Sequence, residues 1–308
     1  MDIRQIRAFL AISDTGSVTR AAEMLHLVQP AVSRQLKLLE EELGVSLFER
    51  GRNGMELTPE GEILKVRASR AVRELDSARV EIRPSGEISG NVTIGLLPSS
   101  CEVIAAPLTL ALKERYPGIR LSISVGFTDH LMQWMETGEI DCALLYNLKP
   151  SPAWHSIPLL HERLWLCGSP ALAEALDSAD SLQTLGEFPV ILPSRQHGLR
   201  TLVERVCSMN RIPLNIAAET NSLSVHKALL VSGLGVSVIP KVAIGQEVSD
   251  RLLWAVPIPH PEFTRRIDLA LPSSRRTSPA VACVTDLLQL NMRKSVDSGF
   301  WLDAVWVG

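Results

Sequence analysis

Gln29-Pro30-Ala31-Val32-Ser33-Arg34-Gln35-Leu36-Lys37-Leu38-Leu39-Glu40-Glu41-Glu42-Leu43 is the stretch on which the fold turns. Val32, Leu36, Leu39 and Leu43 recur at spacings of four, three and four, the aliphatic stripe of an amphipathic helix. Pro30 falls in its first turn, where the missing N–H costs nothing. Gln29, Ser33, Arg34 and Lys37 share the opposite face near the N-terminal end, and no acid interrupts them before Glu40. Such a face suits the major groove, where glutamine and arginine reach base edges and serine reaches phosphate. It also suits the solvated side of an ordinary three-helix bundle.

The flanks favour the groove. Upstream, Ile3, Ile6, Phe9 and Leu10 share a helical face that Gly16 ends. Ser17 caps a second helix with Val18, Ala21, Ala22 and Leu25 inward, and His26-Leu27-Val28 connects it to the third. Downstream, Leu47-Phe48-Glu49-Arg50, Gly51-Arg52-Asn53-Gly54 and Met55-Glu56-Leu57 read as a hairpin with a basic, glycine-rich tip. Arg50 and Arg52 would anchor such a wing on phosphate.

Thr58-Pro59 opens a longer helix that runs to Arg83 without a breaker after Gly61. Leu64, Ala68, Ala71, Leu75, Ala78 and Ile82 follow heptad spacing, so the helix is expected to pair with a second copy; its alternative is packing on its own C-terminal module. At about 37 Å it is too long to hide against the small bundle. Pro84 to Gly90 collects turn formers and reads as a hinge.

From Asn91 the pattern alternates β-rich runs (91–97, 119–126, 141–146, 163–168, 189–193, 214–220, 235–239 and 265–271) with helical stretches (101–116, 128–137, 198–210 and 222–232). That alternation predicts an α/β module, and its length predicts two subdomains with a cleft between them. Polar residues collect where strands give way to helices: Ser99, Ser100, Thr128, Ser194, His197, Thr220 and Ser222. Helix N-termini of this kind can hold a small carboxylate or similar anion, with Arg195 or His197 as countercharge. The same hydroxyls are also ordinary helix caps. The apolar tail Phe300 to Val307 packs on this module or on a neighbouring subunit.

The 308 residues are 46% hydrophobic and 21% charged, which excludes disordered and fibrous classes. Net charge is -3, so any basic footprint is local. The charged N-terminus and the lack of a long apolar run speak against a signal peptide or a membrane span and for the cytoplasm. Five scattered cysteines, without Cys-x-x-Cys, fit a reducing compartment. No nucleophile elbow, phosphate loop or histidine cluster points to an enzyme, metal or cofactor.

The order Gly16-Ser17-Val18, Ala21-Ala22, Leu25, Gln29 to Gln35, Leu43-Gly44, Leu47 to Arg50 and Leu57-Thr58-Pro59-Glu60-Gly61 is similar to the signature of LysR-type transcriptional regulators, with Val28 departing from the family's small polar residue. The resemblance implies a winged helix-turn-helix at 1–58, a dimerising linker helix at 59–83, a hinge at 84–90 and an effector-binding module at 91–308. That module would resemble a periplasmic binding protein, with one subdomain at 91–162 plus 268–295 and the other at 163–267. It further implies antiparallel linker pairing, dimers that join into tetramers, a near-palindromic DNA operator, RNA polymerase as partner, and coinducer contacts at Ser99, Ser100 and Thr128. Ile191 to Arg200 vaguely resembles regulators of nitrogen assimilation and aromatic catabolism. A redox-sensing regulator and a cytoplasmic solute-binding protein are the alternatives.

Overall fold

The N-terminal unit is built around Phe9 and Phe48, whose ring centroids lie 5.4 Å apart. Helices α1 (Ile3–Thr15), α2 (Val18–Leu25) and α3 (Gln29–Leu43) close over them. Asp2 opens α1 with a reciprocal capping box to Gln5, and Gly16 ends it in the left-handed region. Ser17 caps α2. Val32, Leu36 and Leu39 are buried in this core, whereas Leu43 is 40% exposed: it is the last residue before the Gly44 cap, where the bundle no longer covers the helix. Strands β1 (Phe48–Gly51) and β2 (Gly54–Leu57) pair antiparallel as the wing. The computed structural model describes residues 1–51, 54–82, 88–173, 182–195, 197–274 and 276–308, so Arg52 and most of the hinge lie outside the described residues.

Helix α4 (Pro59–Ile82) starts at Thr58, whose Oγ accepts from Gly61 N–H at 3.0 Å. Its heptad seam is split. Leu64, Ala68 and Val72 pack on the helix-turn-helix core, with Ala68 only 3% exposed, because the first turns of α4 cover the open side of the bundle. An Arg7–Asp76 ion pair at 2.7 Å ties α4 to α1. Ala71, Leu75, Ala78 and Ile82 remain exposed, Leu75 at 52% and Ile82 at 80%. The continuous six-residue seam expected from spacing is therefore corrected to its second part.

The remaining elements are β3 (Gly90–Leu96), α5 (Pro98–Arg115), β4 (Ile119–Val125), α6 (Thr128–Thr137), β5 (Cys142–Tyr146), β6 (Trp154–Gly168), α7 (Pro170–Ala173), α8 (Thr184–Glu187), β7 (Val190–Leu192), α9 (Gly198–Met209), β8 (Ile216–Glu219), α10 (Leu223–Val231), β9 (Val236–Pro240), α11 (Gly245–Ser249), β10 (Trp254–Pro257), β11 (Thr264–Pro272), α12 (Pro279–Asp297) and β12 (Ala304–Trp306). The strand order β4-β3-β5-β11-β6-β9-β7-β8 forms two sheets that share β6. Residues 154–163 of β6 pair with β11, and residues 164–168 pair with β9. The first sheet encloses a core around Ile94, Leu144 and Leu288, and the second one around Leu166, Val203 and Val238.

Several elements escape the sequence reading, among them the short α7, α8, α11 and β10. The first half of β6 carries polar residues and Pro158, which break the apolar run; α12 enters that reading only as a returning segment; and β12 is three residues long. The tail packs on its own module: β12 pairs with residues 160–162 of β6, and Trp301 is buried beneath it.

Gly61 sits where α4 crosses the start of the wing, and a Cβ there would lie 2.2 Å from the Leu47 carbonyl oxygen. Gly61→Ala is expected to destabilise the helix-turn-helix unit by about 1–3 kcal/mol through forced backbone shifts, measured by urea unfolding.

Candidate DNA-reading face and ligand cleft

Helix α3 buries its stripe and exposes the other side. Gln29, Pro30, Arg34 and Lys37 are exposed and Ser33 is half-buried. Gln29 Nε2 donates to Ser33 Oγ at 3.0 Å, which orients both at the first turn. Lys37 Nζ lies 3.6 Å from Glu41, an exposed pair of little strength. Val28 precedes the helix without a side-chain cap; Pro30 has no N–H and Ala31 N–H donates to the Val28 carbonyl at 2.9 Å, which leaves the Gln29 N–H at the first turn. Arg50 is exposed on the wing strand beside this face.

The cleft lies between the two sheets of the C-terminal module and is lined from both. Pro98, Ser99, Phe127, Tyr146 and Arg265 line it from the first half. His197, Leu199, Thr220, Asn221, Ser222 and His226 line it from the second. Phe127 meets His197 edge-on across it at 4.3 Å between ring centroids. On another side Lys227 of α10 bridges to Glu102 of α5 at 2.9 Å and to Glu247 at 3.1 Å.

Behind the cleft stands a buried ion pair. Arg265 Nε donates to Glu162 Oε1 at 2.6 Å, and Trp301 Nε1 donates to Glu162 Oε2 at 3.0 Å. Arg265 Nη2 reaches Ser99 Oγ at 3.2 Å, and the guanidinium stacks on Tyr146 with its carbon 3.6 Å from the ring centroid. Ser99 and Tyr146 share a short hydroxyl hydrogen bond. Burial pushes the Tyr146 phenol up to about 12, against the lowering by Arg265. Burial, followed by the charge of Arg265, pushes His197 down to about 4; burial also takes His226 to about 4.

These facts sort the residues expected from sequence. Ser99, His197, Thr220 and Ser222 line the cavity. Thr128 lines the wider recess beside it and accepts from Tyr146 N–H. Ser100 is fully buried, donating to the Leu97 carbonyl as its own helix requires. Ser194 is outside the cavity wall and its N–H is held by Asn221 Oδ1. Neither expected countercharge is available: Arg195 is exposed and outside the wall, and His197 is a neutral ring capping α9. Sequence reasoning misses Arg265, Tyr146, Phe127, His226, Glu162 and Trp301. The available signal was an arginine pair, Arg265-Arg266, leading an apolar strand, and Glu162 interrupting another.

Two family models match the chain: the bacterial regulatory helix-turn-helix protein, lysR family, over residues 3–62, and the LysR substrate binding domain over residues 85–293. The chain belongs to the LysR family. It is a DNA-binding transcriptional regulator with an effector-binding domain. The nitrogen assimilation regulatory protein nac of Escherichia coli K12 is 29% identical over 290 residues, which cover 94% of each chain. A full-length OxyR variant from Pseudomonas aeruginosa shares the fold with a TM-score of 0.72, at 23% identity over 95% of each chain. CbnR in complex with its target DNA gives a TM-score of 0.70 at 21% identity, covering 94% of this chain and all of that one. LysR regulators bind DNA and effectors and oligomerise. Among the described residues of this LysR regulator no helix is long and apolar enough to cross a membrane.

Two buried thiols of this LysR regulator, Cys207 and Cys167, are poor nucleophiles. Burial raises Cys207 to about 11 and Cys167 to about 12, so neither is a thiolate near neutrality.

The lowered histidines make stability depend on pH. Below about 6.5 the unfolded chain takes up protons that the folded cleft refuses, so stability falls as pH drops toward about 4 and is unaffected above that window. His226 alone accounts for about 3 kcal/mol of that loss. His226→Gln, which keeps a donor for Ser237, is expected to flatten the melting-temperature profile between pH 6.5 and 4.

Proposed function

We propose that this LysR regulator reads a near-palindromic operator as a homodimer or homotetramer in the cytoplasm, and that a small effector bound in the interdomain cleft sets its effect on RNA polymerase. Gln29, Pro30, Ser33, Arg34 and Lys37 enter the major groove, while Arg50 and Arg52 hold phosphate from the wing. The observation that carries this reading is that α3 spends its aliphatic stripe on the bundle and leaves its amide, hydroxyl and guanidinium groups exposed at the N-terminal end. The division into a reading head at 1–58, a linker at 59–83, a hinge at 84–90 and a module at 91–308 belongs to the same proposal. So do subdomains at 91–162 plus 268–295 and at 163–267, with the return to the first sheet drawn back to Thr264, where β11 begins, so that Arg265 counts with the first half.

Dimerisation rests on the bare half of α4. Ala71, Leu75, Ala78 and Ile82 form an apolar row that no other part of this chain covers among the described residues. A second linker helix would cover it and place two reading heads on two half-sites.

The effector enters between Ser99 and Tyr146 on one side and His197 and Thr220 on the other. Helices α5 and α6 begin without a side-chain cap; in α5 Pro98 has no N–H and Ser100 N–H is taken by the Leu97 carbonyl, so Ser99 N–H is the first-turn donor that favours an acceptor oxygen on the ligand. Depressed thiolate formation at Cys207 and Cys167 favours a metabolite signal over a redox one.

Arg34→Ala is expected to weaken specific operator binding by about 1–3 kcal/mol in a gel shift with non-specific competitor, while an unchanged affinity refutes the recognition face. Leu75→Glu is expected to convert the oligomer to a slower-sedimenting species, and an unaltered sedimentation profile refutes the linker interface.

A further inference from the structure

Among the described residues, the cavity wall contains one ionised side chain, Arg265, and its charge is already matched within the protein. Arg265 and Glu162 are both buried and joined at 2.6 Å. Trp301 donates to the other Glu162 oxygen at 3.0 Å, so the carboxylate has partners on both sides. An anionic ligand entering beside this pair would bring a second negative charge against a wall whose described residues include no further cation to meet it. Burying such an unmatched charge is costly, whereas a neutral group asks only for hydrogen bonds.

The two imidazoles set the polarity of those bonds. Leu199 N–H donates to His197 Nδ1 at 3.0 Å, so the neutral ring carries its proton on Nε2 and offers a donor. Ser237 Oγ donates to the Ile191 carbonyl at 2.6 Å and therefore receives the hydrogen bond from His226 Nε2 at 2.8 Å. Nδ1 of His226 is left as an acceptor. Phe127, Leu199 and Ile239 supply apolar wall.

We infer that the cleft takes an uncharged ligand carrying both a hydrogen-bond acceptor and an N–H or O–H donor, of the primary-amide or lactam type, in preference to a carboxylate. The inference rests on the reading of this cleft as the effector site. A carbonyl oxygen satisfies Arg265 and the Ser99 N–H without importing charge, and the amide N–H meets His226. Trp301 is then a positioning residue: the tail holds Glu162 in place, and Glu162 holds Arg265.

Benzamide and benzoate share a ring and differ at this one group, so calorimetric titration of the full chain with each separates the cases. Benzamide is expected to bind about tenfold or more tighter than benzoate, and Glu162→Gln, which frees the Arg265 charge, is expected to reverse the order. Tighter benzoate binding by the unaltered chain overturns this inference and leaves the cleft reading standing. Heat from neither probe, or heat that survives the cavity-filling Asn221→Trp, overturns the cleft reading itself. If Glu162→Gln does not fold, the uncharged pair Glu162→Gln with Arg265→Gln replaces it and is expected to keep the benzamide preference; a benzoate preference there also overturns the inference.

Discussion

Strand Trp154–Gly168 belongs to two sheets at once, and the C-terminal module is arranged around that fact. A strand shared in this way holds the sheets side by side and leaves a gap where their facing helices begin. Glu162 lies close to the point where β6 passes from one sheet to the other, opposite Arg265 on β11. A charge placed there is buried whichever way the halves lean, so it must be paired. The pairing recruits Trp301 from the tail, and β12 fastens the tail to the same stretch of β6.

The N-terminal unit solves a different problem with one helix. Helix α4 closes the bundle with Leu64, Ala68 and Val72 and then continues past it with a bare apolar row. A helix of 24 residues is roughly 36 Å long, well beyond what three short helices can cover. Its first turns thus belong to the stability of one chain, and its last turns carry apolar residues that no described part of the chain covers. The Arg7–Asp76 pair ties α4 to α1 near the point where the second part leaves the first.

The reading head was legible because its determinants are local. Val32, Leu36 and Leu39 are spaced by the helix itself, Ser17 and Thr58 cap the residues next to them, and the wing closes over two residues. The cleft was legible only in outline. Ser99, His197, Thr220 and Ser222 stand at strand-to-helix junctions, which strand alternation can locate. Arg265, Glu162 and Trp301 come together from positions separated by 103 and 139 residues, and nothing in their neighbourhoods in the chain announces the meeting. Ser100 shows the opposite error: a junction residue of the right type, turned inward by the helix it begins. Spacing likewise identified the face of α4 but could not divide it between its own bundle and a partner.

The cleft is spanned by contacts of unequal kind, and this bears on how a ligand can move it. Lys227, 12% exposed at its side chain, reaches Glu102 across the gap, and Phe127 leans on His197. The first contact is partly solvated and weakly favourable, while the second is an aromatic edge contact of about 1 kcal/mol. Neither is strong enough to hold the halves in one arrangement against a ligand that prefers another. A ligand shifts such an equilibrium only by the difference between its affinities for the two states. The groups able to generate that difference face each other across the cavity, Arg265 and Ser99 on one side and His197 and His226 on the other.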